Sequence, residues 1–457
     1  MVTWARALWG ILLIAGVLCG LTGSAWGEET AAGPNPTPAA APASSIESET
    51  FSPETQRQLQ EAVEKFNQSD IAGSLETLQV IAASDPRVIP PRLILAQWFA
   101  QAKNQNAVRV SLEMATEESP TDPEAFVLLG EIALRQGELT AAELLLQKAE
   151  TVLIDYTANE QRQKTLTIKL NKNKVALAQV RKRWDKMQEG LGVLLKLEGQ
   201  NAENCRLVAT SFFHLKKEQA ARDWFLSADQ LDEGKGLPAD AQMARLYMAA
   251  GDSAKAKESL KNALAANPNS VETLNLSLSS AINDNDFEMA AATAAQLYAA
   301  DAKNPETLKN CGITALYRED FAQAEKIFRE GLELAPADTQ IANGLALALC
   351  EQNDPEKMKL ALQYATSNLQ KQGNNREFLS TLGWVLYKSG SVDKALQVLQ
   401  QSAADGQLNS AAAYYLAVLL NEKGEKENAQ KLLAAAVTNQ APFFKRKAAN
   451  ALLEQLK

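Results

Sequence analysis

The stretch Cys311–Pro336 reads CGITALYREDFAQAEKIFREGLELAP. Gly312 is followed after twelve residues by Ala324, after four more by Phe328 and after eight more by Pro336. Leu308, Cys311, Gly312 and Ala315 fall at i, i+3, i+4 and i+7, one face of a helix. Phe321, Ala324, Ile327 and Phe328 share one face of a second helix. Gly312 and Ala324 are small where the two helix backbones are expected to approach. Phe328 fills the space between units, worth about 1.5–3 kcal/mol on full burial. Pro336 ends the second helix, because its ring cannot be accommodated inside one.

The same spacing recurs. Residues equivalent to Gly312 fall at Ala62, Ala96, Gly130, Val175, Ala209, Ala244, Leu278, Gly312, Ala346, Gly383 and Ala417. Most steps are 34 residues, one is 35, and Gly130 to Val175 and Ala346 to Gly383 are longer. Ala256 and Leu260 follow Ala244 on schedule, as do Ala395 and Leu399 after Gly383, and Leu78 and Pro86 after Ala62. One helix pair cannot bury its apolar face alone, so recurrence implies stacking into a solenoid. The first long step is read as an extended helix across residues 158–182, the second as a short insertion around NDPEK. The closing PFFKRKAANALLEQL is read as a capping helix.

On these residues the chain resembles the tetratricopeptide repeat family, whose 34-residue signature carries Leu-Gly and Tyr, then Ala, Phe and Pro. The units 304–337, 122–155, 236–269 and 375–408 match best. Trp at the opening aromatic position is mostly replaced by Leu, and the units of Val175 and Ala346 are degenerate. The resemblance implies an all-α fold: a right-handed α-solenoid of about eleven helix-turn-helix repeats over residues 54–441, capped by residues 442–457.

Composition agrees with helices. The chain of 457 residues is 46% hydrophobic but only 6% aromatic, which starves strands of their preferred side chains. Its net charge of −9 makes it a poor general ligand for nucleic acid. Residues 1–27 carry Arg6, an apolar run and then Ala25-Trp26-Gly27, the pattern of a cleaved signal peptide. The competing reading is a retained anchor over residues 7–26. Residues 28–53, rich in Pro and Ala, read as a linker. Without Cys19, three cysteines remain, Cys205, Cys311 and Cys350, read as small buried apolar residues, with a Cys311–Cys350 bond as the alternative.

Catalytic patterns are lacking. With His214 as the one histidine, paired-His metal sites and His-dependent triads have no material. GKGLPA at 234–239 has the letters of a dinucleotide loop without a preceding strand, and reads as an inter-repeat turn. NDNDFE at 283–288 lacks the Gly and closing Glu of a calcium loop. No enzyme activity, metal or cofactor is expected.

What the resemblance implies instead is a concave groove lined by the first helices, three residues before each anchor and one, four and five after. These positions hold Lys172, Arg206, Thr210, His214, Arg245, Asn275, Ser279, Asn283, Lys309, Tyr317 and Asn343, a polar ladder read as free of carboxylates. Further on come Trp384, Tyr387, Lys388, Tyr414 and Asn421, an aromatic zone. Lys, Arg and Asn suit a carboxylate or peptide backbone, and aromatic residues supply anchoring area. The basic stretch KLNKNKVALAQVRKRWDK, 169–186, is a second candidate surface for acidic lipid headgroups or an acidic partner. The chain is thus read as an exported, periplasmic or secreted scaffold binding a protein or peptide partner. The alternatives are a polysaccharide-export or cell-wall scaffold contacting glycan, and a cytosolic co-chaperone if the N-terminus is not a signal.

Overall fold

The structure, a computed structural model, describes residues 51–457 except 86, 374, 404–407 and 440–441. The expected signal segment, all but the end of the linker, and Pro86 lie outside the described residues. Among the described residues every regular element is a helix, and they form two compact units, one ending at Trp224 and the other beginning at Phe225.

The first unit holds α1 (Pro53–Asn67), α2 (Ile71–Ser84), α3 (Pro91–Gln101), α4 (Gln105–Glu118), α5 (Glu124–Arg135), α6 (Leu139–Ile154), α7 (Glu160–Val180), α8 (Trp184–Glu198) and α9 (Ala202–His214). Helix α10 (Glu218–Leu231) carries the boundary. The second unit continues with α11 (Ala239–Ala250), α12 (Ser253–Ala266), α13 (Val271–Asn283), α14 (Phe287–Asp301), α15 (Pro305–Tyr317), α16 (Phe321–Leu334), α17 (Thr339–Cys350) and α18 (Pro355–Gln372). It closes with α19 (Arg376–Lys388), α20 (Val392–Ser402), α21 (Ser410–Glu422), α22 (Lys426–Thr438) and α23 (Arg446–Gln455). In chain order these are eleven helix-turn-helix pairs followed by one helix. Within each unit, successive pairs pack on one another; α15, α17, α19 and α21 touch in turn. Each unit is an α-solenoid.

The turn inside every pair has one design. A residue in the left-handed region stands two positions before each second helix: Ser69, Lys103, Gly137, Lys182, Lys216, Gly251, Asn285, Glu319, Asn353, Gly390 and Gly424. In the central repeat Glu319 N–H donates to Leu316 O at 2.9 Å and Asp320 N–H to Ala315 O at 3.0 Å, a Schellman closure of α15. Asp320 then caps α16, its carboxylate accepting from Gln323 N at 3.2 Å. One residue therefore ends one helix and starts the next. A side chain in the left-handed region costs about 1–2 kcal/mol. Lys103→Gly, at φ 56°, should accordingly stabilise the first unit by about 0.5–1 kcal/mol once the folding entropy of Gly is subtracted; chemical denaturation checks it.

The packing code is a pair, the anchor and the residue sixteen later. Phe328 is fully buried. A Cβ on Gly312 would lie 2.5 Å from Phe328 Cε1, and one on Gly344 2.3 Å from its Cζ. Gly383 stands in the same relation to Leu399, and Gly130 to Leu146. The expectation of a backbone approach at Gly312 is thus corrected: what needs the room is a ring from the second helix. The unit of Leu278 inverts the sizes, with Ala294 as the partner in the same core cluster. In each of these four pairs a small residue makes room for a large one, as close packing requires.

Two irregular steps resolve differently. The first is a long helix, α7, of 21 residues. The second is not an insertion around NDPEK: Asn353 holds the left-handed position on schedule, seven residues after Ala346 as Glu319 is after Gly312. The extra residues instead lengthen α18 to 18 residues. Cys205, Cys311 and Cys350 are buried free thiols, so the alternative Cys311–Cys350 bond is not formed. Burial pushes the Cys311 thiol up to about 11. GKGLPA runs through the turn between α10 and α11 to the first residue of α11, and NDNDFE spans the turn between α13 and α14.

Candidate partner-binding site

In the first unit, the predicted groove residues are engaged with their neighbours. Lys172 pairs with Glu198 at 2.8 Å. Thr210 donates to the Arg206 carbonyl at 2.8 Å. His214 stacks on Trp184, ring centroids 3.9 Å apart and planes 8° apart. Burial, then the nearby charges of Lys216 and Lys182, holds its imidazole below the usual range. The basic stretch 169–186 is laced to acids of adjoining helices: Lys169 to Glu131, Lys174 to Glu150, and Arg181 and Arg183 both to Glu143. Most of its charge is matched on the protein itself, which weakens it as a surface for acidic lipid.

In the second unit the ladder divides. Arg245, Ser279 and Asn283 are exposed. Asn275 accepts from Asn310 Nδ2 at 3.2 Å, and Lys309 pairs with Glu306. Asn343, by contrast, is buried and donates to Glu377 at 3.2 Å. Trp384 and Tyr414 are buried too. Trp384 Nε1 donates to Glu351 at 2.7 Å, and Tyr387 donates to Glu422. The reading of a face free of carboxylates is corrected by these pairs. Glu351 and Glu422 were legible, since each stands five residues after its anchor, Ala346 and Ala417.

The aromatic zone is covered by the chain's own Pro442–Lys445, and the expected cap is helical only from Arg446. Tyr317 donates to Pro442 O at 3.4 Å. Phe443 lies against Tyr414, centroids 6.2 Å apart, and Phe444 meets Phe321 edge-on at 6.4 Å. Lys445 Nζ is 3.0 Å from Glu351 and 5.0 Å from the centroids of both Phe321 and Phe444. Lys388 reaches the same carboxylate at 3.4 Å. Glu351 is thus a buried charge compensated by two ammonium groups and an indole N–H, as a buried charge must be. Burial, then Glu377, lifts the Tyr317 phenol to about 12, and burial, then Glu351, lifts Tyr414 to about 12, so both are neutral at pH 7. Phe443, Phe444 and Lys445 were missed as site residues because they lie beyond the repeat register.

No group of three or more His, Cys, Asp or Glu able to hold a metal occurs among the described residues, and none of the described helices is long and apolar enough to cross a membrane. The arrangement offers hydrogen bonds, ion pairs and aromatic slots, which are means of binding.

A model of the tetratricopeptide repeat matches residues 100–152, 242–305, 312–357 and 380–442. The chain is a member of the tetratricopeptide repeat family, an interaction repeat whose partners are in general proteins. No curated protein matches it by sequence. Among solved structures it is similar to a tetratricopeptide repeat protein of Parabacteroides merdae, at 13% identity and TM-score 0.45 over 56% of this chain and 98% of that one. PilF of Pseudomonas aeruginosa aligns at 19% identity and TM-score 0.34 over 48% and 94%. Yeast Tom70 aligns at 12% identity and TM-score 0.35 over 88% and 95%.

Proposed function

We propose that the chain is a non-enzymatic scaffold of the cell envelope that holds an extended or helical segment of a protein partner on the face formed by its first helices. The observation that carries this reading is that the face of the second unit already holds a non-helical piece of chain, Pro442–Lys445, through rings, a phenol donor and a buried ion pair. Arg245, Asn283 and Lys309 stand on the first helices α11, α13 and α15 of the same unit. Each can meet a peptide carbonyl or carboxylate, Arg and Lys by a charge-assisted bond. The envelope location rests on the sequence of residues 1–27.

The test is a triple change, Arg245→Ala, Asn283→Ala and Lys309→Ala. Partner capture from envelope extracts should fall sharply and become less sensitive to salt. Melting should shift little, because substitutions at the exposed Arg245 and Asn283 are worth about ±0.5 kcal/mol each, and the half-buried Lys309 gives up only its pair with the exposed Glu306, worth about 0–1 kcal/mol. A matched triple on second helices, Lys261→Ala, Lys326→Ala and Lys394→Ala, should leave capture unchanged. Equal loss from both triples, or none from either, removes the proposal.

A further inference from the structure

The segment Pro442–Lys445 is held as a ligand is held. Among the described residues its backbone takes one hydrogen bond from the repeats, Pro442 O accepting from Tyr317, while Phe443 O and Lys445 O accept from Arg446 N at 3.2 Å and Ala449 N at 2.9 Å of the cap that follows. Its fixation comes from side chains instead. Phe443 and Phe444 are 5% and 8% exposed, and the Lys445 side chain is 12% exposed against a Glu351 side chain at 5%. The receiving groups come from three repeats: Tyr317 on α15 and Phe321 on α16 from one, Glu351 just after α17 from the next, and Tyr414 on α21 from a third. Glu351 is positioned without the segment, because Trp384 Nε1 and Lys388 Nζ both reach it. Trp384 is itself stacked on the buried Tyr415, centroids 4.4 Å apart. The carboxylate, the two aromatic slots and the phenol donor therefore form a prearranged receptor for one chemistry: two consecutive aromatic residues followed by a cation.

We infer that this site recognises partner segments of the form aromatic-aromatic-Lys or aromatic-aromatic-Arg, and that Phe443-Phe444-Lys445 is its tethered competitor. The inference deepens the proposed function and rests on it. A segment joined to the site by a short stretch of chain acts at an effective concentration of about millimolar. An external segment of equal intrinsic affinity must displace it, so apparent affinity is reduced by the fraction of time the site is filled. Selectivity follows from the buried acid. A segment with Glu or Asp at the third place would set two carboxylates together out of water, and one with Ala would leave Glu351 short of a cation.

The experiment uses the full chain and a fluorescent peptide of residues 442–447, PFFKRK, read by anisotropy. The variant Phe443→Ala, Phe444→Ala, Lys445→Ala, shown by circular dichroism to keep its helices, should bind the peptide at least about tenfold more tightly than the unaltered chain. Adding Glu351→Gln to that variant should abolish the gain, and the peptide PAAKRK should bind neither chain. Equal binding to the unaltered and vacated chains, or a gain that survives Glu351→Gln, overturns the inference. Should the vacated variant lose its helices, the unaltered chain decides: excess peptide should hasten amide exchange over residues 443–446, and unchanged exchange overturns it. An unaltered chain that sediments as a dimer and becomes monomeric on vacating the site assigns it to a second copy and overturns an external partner. The probe is the chain's own segment, so failure here leaves the capture test on Arg245, Asn283 and Lys309 standing.

Discussion

Phe328→Ala should destabilise the repeats around it by about 3–5 kcal/mol. The ring is fully buried, and its room is cut out of two successive first helices by Gly312 and Gly344. Removing it leaves a void that those helices can close only in part, so the lost contacts add to the lost transfer energy. The loss should be local, because stacked repeats touch only their neighbours and stability is close to a sum of unit and interface terms. Hydrogen exchange should therefore show lower protection in α15, α16 and α17, with α5 and α6 unchanged. Uniform loss over both units would contradict nearest-neighbour packing. The converse change, Gly312→Leu, should overpack the same space and cost about 1–3 kcal/mol; an unshifted melting curve would count against the packing described for Phe328.

Arg162→Ala should cost the first unit about 3–5 kcal/mol. The guanidinium joins the start of α7 to the start of α5, with Asp122 at 2.6 Å and Glu124 at 2.5 Å, and donates to the Tyr156 hydroxyl oxygen at 2.7 Å. The three charged side chains are 10–16% exposed. Burial disfavours the charge, but the bonds to Asp122 and the charges of both acids outweigh that and raise its pKa. Its removal strands two carboxylates with little water, which costs more than the intact pair contributes. Lys186→Ala is the contrast. That residue pairs with Glu189 while both remain about 60% exposed, and such pairs contribute about 0–1 kcal/mol. Denaturant titration of the two variants should separate them by several times the experimental error; equal, small effects would show that water reaches Asp122 and Glu124.

The architecture was legible because its determinants are local. Gly312, Ala324 and Phe328 recur at fixed spacing, Asp320 and its equivalents cap at fixed spacing, and repetition multiplies a weak signal. Even the inverted pair Leu278 and Ala294 preserves the register. The candidate site was legible only in outline. The family resemblance placed Tyr317, Trp384 and Tyr414 on the groove faces of three first helices, but not whether those faces would meet water. That depended on contacts between residues far apart in the chain: Lys445 lies 94 residues from Glu351, and Pro442 lies 125 from Tyr317. A repeat register says where a side chain starts on its helix and nothing about which distant segment will cover it. The same limit applies to Arg162, whose partners are 38 and 40 residues away. Short-range spacing, set by the helical period and the turn, thus determined the elements and their stacking. The pairing of charges and the burial of the aromatic zone were decided by the tertiary structure, because a charge taken out of water requires a partner wherever in the chain that partner lies.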